Sequence, residues 1–391
     1  MAKAKINPAS LARCLQSADY SVAEFAAAVK EEVATLESWL AGEDLPTMTQ
    51  ASEMAKILYV PLAHLYSRSA PREIDVIPDF RTIDARTPAK AGPFYRRLLI
   101  DVLFKRDWLK EHRIANGAGK LPFVAKFNES SSIQEIAADM RAVLGMPRRP
   151  SRKDDSSYFS AISTAAEDAG IMVMKNGIAG GGTSRKIDSS IFRGFCIVDE
   201  IVPVVVVNSN DYRFSQIFTL AHELAHIWIG QSALSNFDVV EHKLSDLQSI
   251  EKFCSKVAAE FLAPREAFIA NWQDGIDLKD QVENLSRDFM ISPVTVARRA
   301  FDLGLVGGNE YRSFMEDQKI ILAAIKKKER EKEGGPPYHV MMKNRNSLSL
   351  MRVVRAEMMN GRMLVNAAAE VLGVSASALV NNLAGEEYVS A

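Results

Sequence analysis

A chain of 391 residues exceeds one ordinary hydrophobic core and suits two or three domains. Its 47% hydrophobic and 25% charged residues exclude the disordered class, and 48 Lys plus Arg against 49 Asp plus Glu exclude a chain-wide cationic field for nucleic acid. Three scattered cysteines, Cys14, Cys196 and Cys254, exclude a disulfide framework or a CxxC metal site, and an N-terminus without a continuous apolar stretch argues against membrane targeting, so the expected compartment is the cytoplasm.

Predicted elements begin near Ser21. Over residues 21–66 short helical patterns alternate with turn signals. Val22, Phe25, Ala26 and Val29 share one face by the i, i+3, i+4, i+7 rule, as do Leu36, Trp39 and Leu40, then Met54, Ala55 and Leu58. The loop AGEDLPT separates a helix ending near Leu40 from one opened by Thr47 or Thr49 as N-cap. With Trp39 followed by Gly42 and Pro46 in a Gly-x-x-x-Pro loop, this segment resembles the XRE (Cro/phage-repressor-like) helix-turn-helix family, which implies that a helix over about 33–40 reads the major groove. Glu31, Glu32 and Glu37 stand there where phosphate contacts call for Lys or Arg. Two readings follow: a DNA reader through residues 21–66, or a protein-interaction module that keeps only the fold.

Residues 70–87, ending in IPDFRT, read as a connector, and 94–114 and 133–144 as helices around the turn-rich ANGAGKLP. In the polar loop GMPRRPSRKDDSS, the cations Arg148, Arg149, Arg152 and Lys153 read as a solvated surface. A helix over 158–170 and a strand IMVMKN come next, then RGFCIVD and PVVVVNS, which suit an antiparallel hairpin joined by Glu200, Ile201 and Val202. The glycines of GIAGGGT lack the Lys and the helix opening of a phosphate-cradling loop, and read as a simple loop.

The segment FTLAHELAHIW carries the chemistry. His222 and His226 are four residues apart, so on a helix they stand one above the other and can grip one metal ion. Glu223, about 100° around the helix from His222, can reach the open coordination position as a general base. Ile217, Phe218, Leu220, Ala221, Leu224, Ala225, Trp228 and Ile229 would bury this helix against the hairpin. The plainer alternative is a pair of histidines that merely share a face of a buried helix. A third ligand belongs to IEKFCSKVAAEFLAP, which offers Glu251 at its start and Glu260 near its end, on opposite sides of the helix. Periodicity leaves that choice open, and Glu251 also reads as a helix-start carboxylate favoured by the macrodipole. A His/His/Glu set leaves a fourth position open, the arrangement of a catalytic zinc.

RGFCIVD with PVVVVNSNDYRFSQIFTLAHELAHIWIG, then EKFCSKVAAEFLAP, then LSRDFMISPVTVARRAFDLGLV, together resemble the ImmA/IrrE family of metallopeptidases over about 79–306. The resemblance selects Glu251 over Glu260, because Glu251 opens the E-x-x-C/A-N pattern of that family. Ser255 stands where the family usually has Asn, and Ala263 where it often has Met, which bears on the local support of Glu251. It further implies Zn²⁺ at His222, His226 and Glu251, Glu223 as catalytic base, and site-selective cleavage of a protein such as an XRE-type repressor in a stress or mobile-element response. Tyr212, His242 and Arg298 are the candidates for stabilising the oxyanion.

The expected fold is α+β and mostly helical. An XRE-like helix-turn-helix domain covers 1–70, a linker and helical subregion 71–150, a zincin-like metallopeptidase domain 151–308, and a helical C-terminal extension 309–391. In that extension IKKKEREKEGGPP ends a helix in a linker, and RMLVNAAAEVLGVSASALVNNLA forms two short helices about a Gly-Val-Ser turn. The competing function is a DNA-binding transcriptional regulator or antitoxin-like protein whose peptidase fold acts as a sensor.

Overall fold

Short polar side chains open many of the helices in the computed structural model, which describes residues 3–18, 20–58, 60, 62–66, 93–146, 155–179, 186–189, 191–230, 244–330 and 338–383. They fall into two units, one drawn from Met1–Ile77, Arg86–Leu103 and Ile178–Ile187, the other from Pro78–Ala85, Phe104–Gly177 and Asp188–Ala391. The connector with IPDFRT, the cations from Arg148 to Lys153 and His242 lie outside the described residues.

In the first unit, α1 (Pro8–Ser17), α2 (Val22–Val29), α3 (Val33–Ala41), α4 (Met48–Leu58) and a 3-10 turn at Leu62–Leu65 surround Leu11, Phe25, Leu36, Trp39, Met54 and Leu65. Helix α1 lies outside the pattern read from Ser21 onward. It starts where the Asn7 side chain accepts from Ala9 N–H at 3.0 Å and Pro8 takes the first position. Ser21 and Glu24 make a reciprocal capping box on α2. Thr47, not Thr49, opens α4: its Oγ1 accepts from Gln50 N–H at 3.3 Å while the Gln50 side chain accepts from Thr47 N–H at 2.8 Å. Lys30 ends α2 and Gly42 ends α3, both in the left-handed region.

The second unit holds α6 (Ile133–Val143), α7 (Asp155–Asp168), β1 (Met172–Lys175), β2 (Gly194–Ile197), β3 (Val204–Val207), α8 (Arg213–Ile229), α9 (Leu244–Leu262), α10 (Arg265–Ala270), α11 (Leu278–Phe289), α12 (Pro293–Asp302), α13 (Gly308–Arg330), α14 (Tyr338–Asn346), α15 (Leu348–Met359), α16 (Val365–Leu372) and α17 (Ala376–Leu383). Helix α5 (Pro93–Ala115) contributes residues to both groupings.

The sheet order is β1-β3-β2. Strand β3 is central because VVVV has no polar face to offer water, and all four valines are buried. It pairs in parallel with β1, Met172 opposite Val204, and antiparallel with β2, Cys196 opposite Val205, so the expected hairpin forms. Helix α8 follows β3 and lies on this sheet, and α9 packs across α8. The helix expected from Ile250 begins instead at Leu244, which places Glu251 inside α9 rather than at its start and removes the reading of Glu251 as a terminal carboxylate.

Candidate metal centre

Helix α8 is buried on nearly every side. Its polar residues Gln216, Thr219, His222, Glu223 and His226 lie inside with Leu220, Leu224 and Trp228, and such groups persist in a core when paired or bound to a ligand. Both ends of the helix are pinned. At the start, the Gln216 amide donates to the Asp211 carbonyl at 2.6 Å and the Asp211 carboxylate accepts from Tyr212 N–H at 2.9 Å. At the end, Ala125 N–H and Phe127 N–H donate to the carbonyls of Ile227 and Trp228, both at 3.0 Å, and the Trp228 indole donates to Asp139 at 2.9 Å. Gly230 terminates α8 at φ 75°, and a Cβ there would stand 2.5 Å from that of Ala125, so the turn requires glycine for two reasons.

On this fixed helix the i, i+4 spacing brings His222 Nε2 and His226 Nε2 to 3.0 Å from each other. Helix α9 delivers Glu251 to the same point, with Oε2 3.0 Å from His222 Nε2 and Oε1 3.1 Å from His226 Nε2. Tetrahedral ligands bound at 2.0–2.1 Å lie about 3.3 Å apart, so the three donors sit at nearly the spacing that one small cation requires. Two imidazole nitrogens and a carboxylate oxygen are the donors that zinc and neighbouring transition ions accept. Among the described residues, His222, His226 and Glu251 form the group that can hold a metal ion.

The electrostatics suit a cation. Burial works to raise the Glu251 pKa, but the field and hydrogen bonds of His222 and His226 outweigh it and hold the carboxyl well below the usual range. Burial opposes charge on His226, yet its hydrogen bond with Cys254 and the Glu251 carboxylate beside it keep its pKa well above that of an ordinary histidine. Around the donors, the Ser255 hydroxyl stands 3.3 Å from His222 Nδ1, and Cys254 is hydrogen bonded to His226. Ser255 therefore meets His222, not Glu251 as the sequence departure had implied.

Glu223 is 3% exposed. It faces β2, where Cys196 is hydrogen bonded to it. Burial, reinforced by the negative field of Glu223, pushes the Cys196 thiol well up, so this thiol stays protonated and donates. Gly194 on the same strand makes this approach feasible: a Cβ there would lie 2.4 Å from Thr219 Cγ2 and 3.4 Å from Glu223 Cγ.

Glu260 is turned elsewhere. It accepts from Arg265 N–H at 2.9 Å and forms a buried ion pair with Arg299. Tyr212 is the N-cap of α8, ten residues before His222 and thus about 15 Å of helical rise away, which removes it as an oxyanion partner. Arg298 is paired with Asp302 at 2.9 Å. The roles of Gly194 and Cys196 depend on strand register and leave no signal in the sequence. Cys254 and Ser255 are legible in hindsight, as the i+3 and i+4 neighbours of Glu251.

Among family models, one for peptidase M78, described as an IrrE N-terminal-like domain, matches residues 166–301. The match runs from the end of α7 nearly to the end of α12 and contains all three candidate ligands. No curated protein matches the chain. Residues 166–301 are thus an M78 peptidase-like domain with a His/His/Glu cluster consistent with an HExxH site.

Proposed function

We propose that the chain is a zinc-dependent, site-selective endopeptidase, with Zn²⁺ held by His222, His226 and Glu251, and Glu223 as the catalytic base. The observation that carries this reading is the convergence of the two Nε2 atoms and the Glu251 carboxylate at 3.0–3.1 Å beside a buried Glu223. When bound, the cation supplies a Lewis acid that acidifies water and polarises a carbonyl. Glu223 accepts the proton of the attacking water and delivers it to the leaving amine. The buried Cys196 thiol beside Glu223 stays protonated and so does not compete for the proton that Glu223 carries. Ile217, Leu224 and their neighbours exclude bulk water behind the site.

The substrate in this reading is a regulatory protein such as an XRE-type repressor, and the N-terminal helices act as an XRE-type unit that recognises it. Two features support a protein partner over DNA. Helix α3 contains no Lys or Arg, and the exposed carboxylates of its N-cap Glu32 and of Glu37 on its outer face would repel phosphates. No helix among the described residues is long and apolar enough to cross a membrane.

The test uses the purified full chain loaded with Zn²⁺ and a purified XRE-type repressor. Wild type should cut at one position, and Glu223→Gln should keep about one zinc per chain while losing cleavage, because an amide cannot act as the base. His222→Ala and His226→Ala should lose the metal. Wild-type turnover by Glu223→Gln removes it from the mechanism. Steeply salt-dependent, sequence-selective DNA binding without cleavage would favour a regulator that senses metal.

A further inference from the structure

Helix α9 brings more than a ligand to the site. Glu251 lies at the metal point, and the two residues that follow it by three and four positions, Cys254 and Ser255, lie on the same side of the helix. Each touches a different histidine of α8: Cys254 is hydrogen bonded to His226, and Ser255 Oγ stands 3.3 Å from His222 Nδ1.

A neutral imidazole carries one proton on one of two nitrogens, and it can ligate only through the other. His222 Nε2 is the atom that points at His226 and Glu251, so its proton must reside on Nδ1 for the site to bind a cation. Nδ1 then needs an acceptor, and the Ser255 hydroxyl is placed to be one. His222 is fully buried, so water does not readily take over this role.

We propose that Ser255 is a positioning residue of the metal centre: its hydroxyl accepts the Nδ1–H of His222 and holds the tautomer and ring angle that turn the Nε2 lone pair to the cation. The inference rests on the metal reading above. It makes α9 a single element that supplies the third ligand together with the outer support of His222 and the thiol beside His226, so that a shift of α9 alters all of them together. Outer partners of this kind affect metal affinity by about 10- to 100-fold.

The experiment compares wild type with Ser255→Ala, Ser255→Thr and Ser255→Val in the full chain. Thr and Val have nearly the same shape and differ in the hydroxyl, so they separate hydrogen bonding from packing. Zn²⁺ affinity is read by competition with a chromogenic chelator, the visible spectrum of the Co²⁺ form reports ligand geometry, and thermal melting in a chelator reports the fold. Ala and Val should bind Zn²⁺ about 10- to 100-fold more weakly and alter the Co²⁺ bands. Thr should match wild type, and melting of Thr and Val should agree. Equal affinities for Thr and Val, with wild type binding one zinc, overturn the role of Ser255. Absence of zinc binding by wild type itself would instead remove the metal reading, and with it this inference.

Discussion

Glu251 and Glu260 share one helix, and the charge that each meets decides what it does. Glu251 faces two imidazoles, whereas Glu260 faces the Arg299 guanidinium inside the core and Arg265 N–H at the end of α9. Arg299 also donates to the Ala263 carbonyl at 3.2 Å, so the pair fastens α9 to α12. We therefore expect Glu251→Ala to lose zinc affinity with a modest change in the fold. Glu260→Ala should keep its zinc and lose about 3–5 kcal/mol of stability, because it leaves a buried cation uncompensated. Chelator competition and urea melts on both variants check this, and a larger loss of zinc for Glu260→Ala would reverse the assignment.

At the scale of elements, the approach of β2 to α8 sets the surroundings of Glu223. The strand comes so near the helix that only Gly194 fits over Thr219, with Val206 O 3.0 Å from where a Cβ would stand. Both contacts are with parts of the core that cannot swing away, one a β-branched side chain and the other central-strand backbone. Gly194→Ala should cost about 1–3 kcal/mol, typical of overpacking, and should displace the turn of α8 that carries Glu223 more than the turn that carries His226. Turnover should thus fall while zinc stoichiometry stays near one. A variant that melts and turns over like wild type would show that the strand gives way freely.

Across the second unit, one buried carboxylate joins the M78-like domain to the C-terminal helices. Glu167 near the end of α7 accepts from Val173 N–H at 3.2 Å, Leu348 N–H at 3.0 Å and Ser349 N–H at 2.7 Å, and so caps α15 from another part of the chain. Glu167→Ala leaves three backbone donors without this acceptor, at about 1–3 kcal/mol each, and should open residues 338–383 to limited proteolysis. Burial raises the Glu167 pKa above 4.5 in spite of these donors. Its folded-state pKa thus exceeds the unfolded one, so the associated stability is fully present below about pH 4.5 and is lost as pH rises through the raised value. Melts across that window should show a falling component in wild type that Glu167→Gln lacks. Parallel pH profiles of the two would exclude Glu167 as its source.

In the sequence, the parts that depend on local periodicity are legible. His222 and His226 share a face because a helix repeats every 3.6 residues, and RGFCIVD pairs with PVVVVNS as an antiparallel hairpin because both are short β-rich runs, whereas the choice of Thr47 over Thr49 to open α4 rests on the contacts with Gln50. The sequence is less legible where a helix edge depends on packing, as at Leu244, or where a short helix lacked a recognised pattern, as in α1. Long-range packing selects the partners. Whether Glu251 or Glu260 meets the histidines depends on where Arg299 lies, 39 residues beyond Glu260, and the hydrogen bond from Cys196 to Glu223 depends on the register of β2 against β3. Such choices follow from burying charge and volume against distant segments, and a local repeat carries no record of which distant segment will be there.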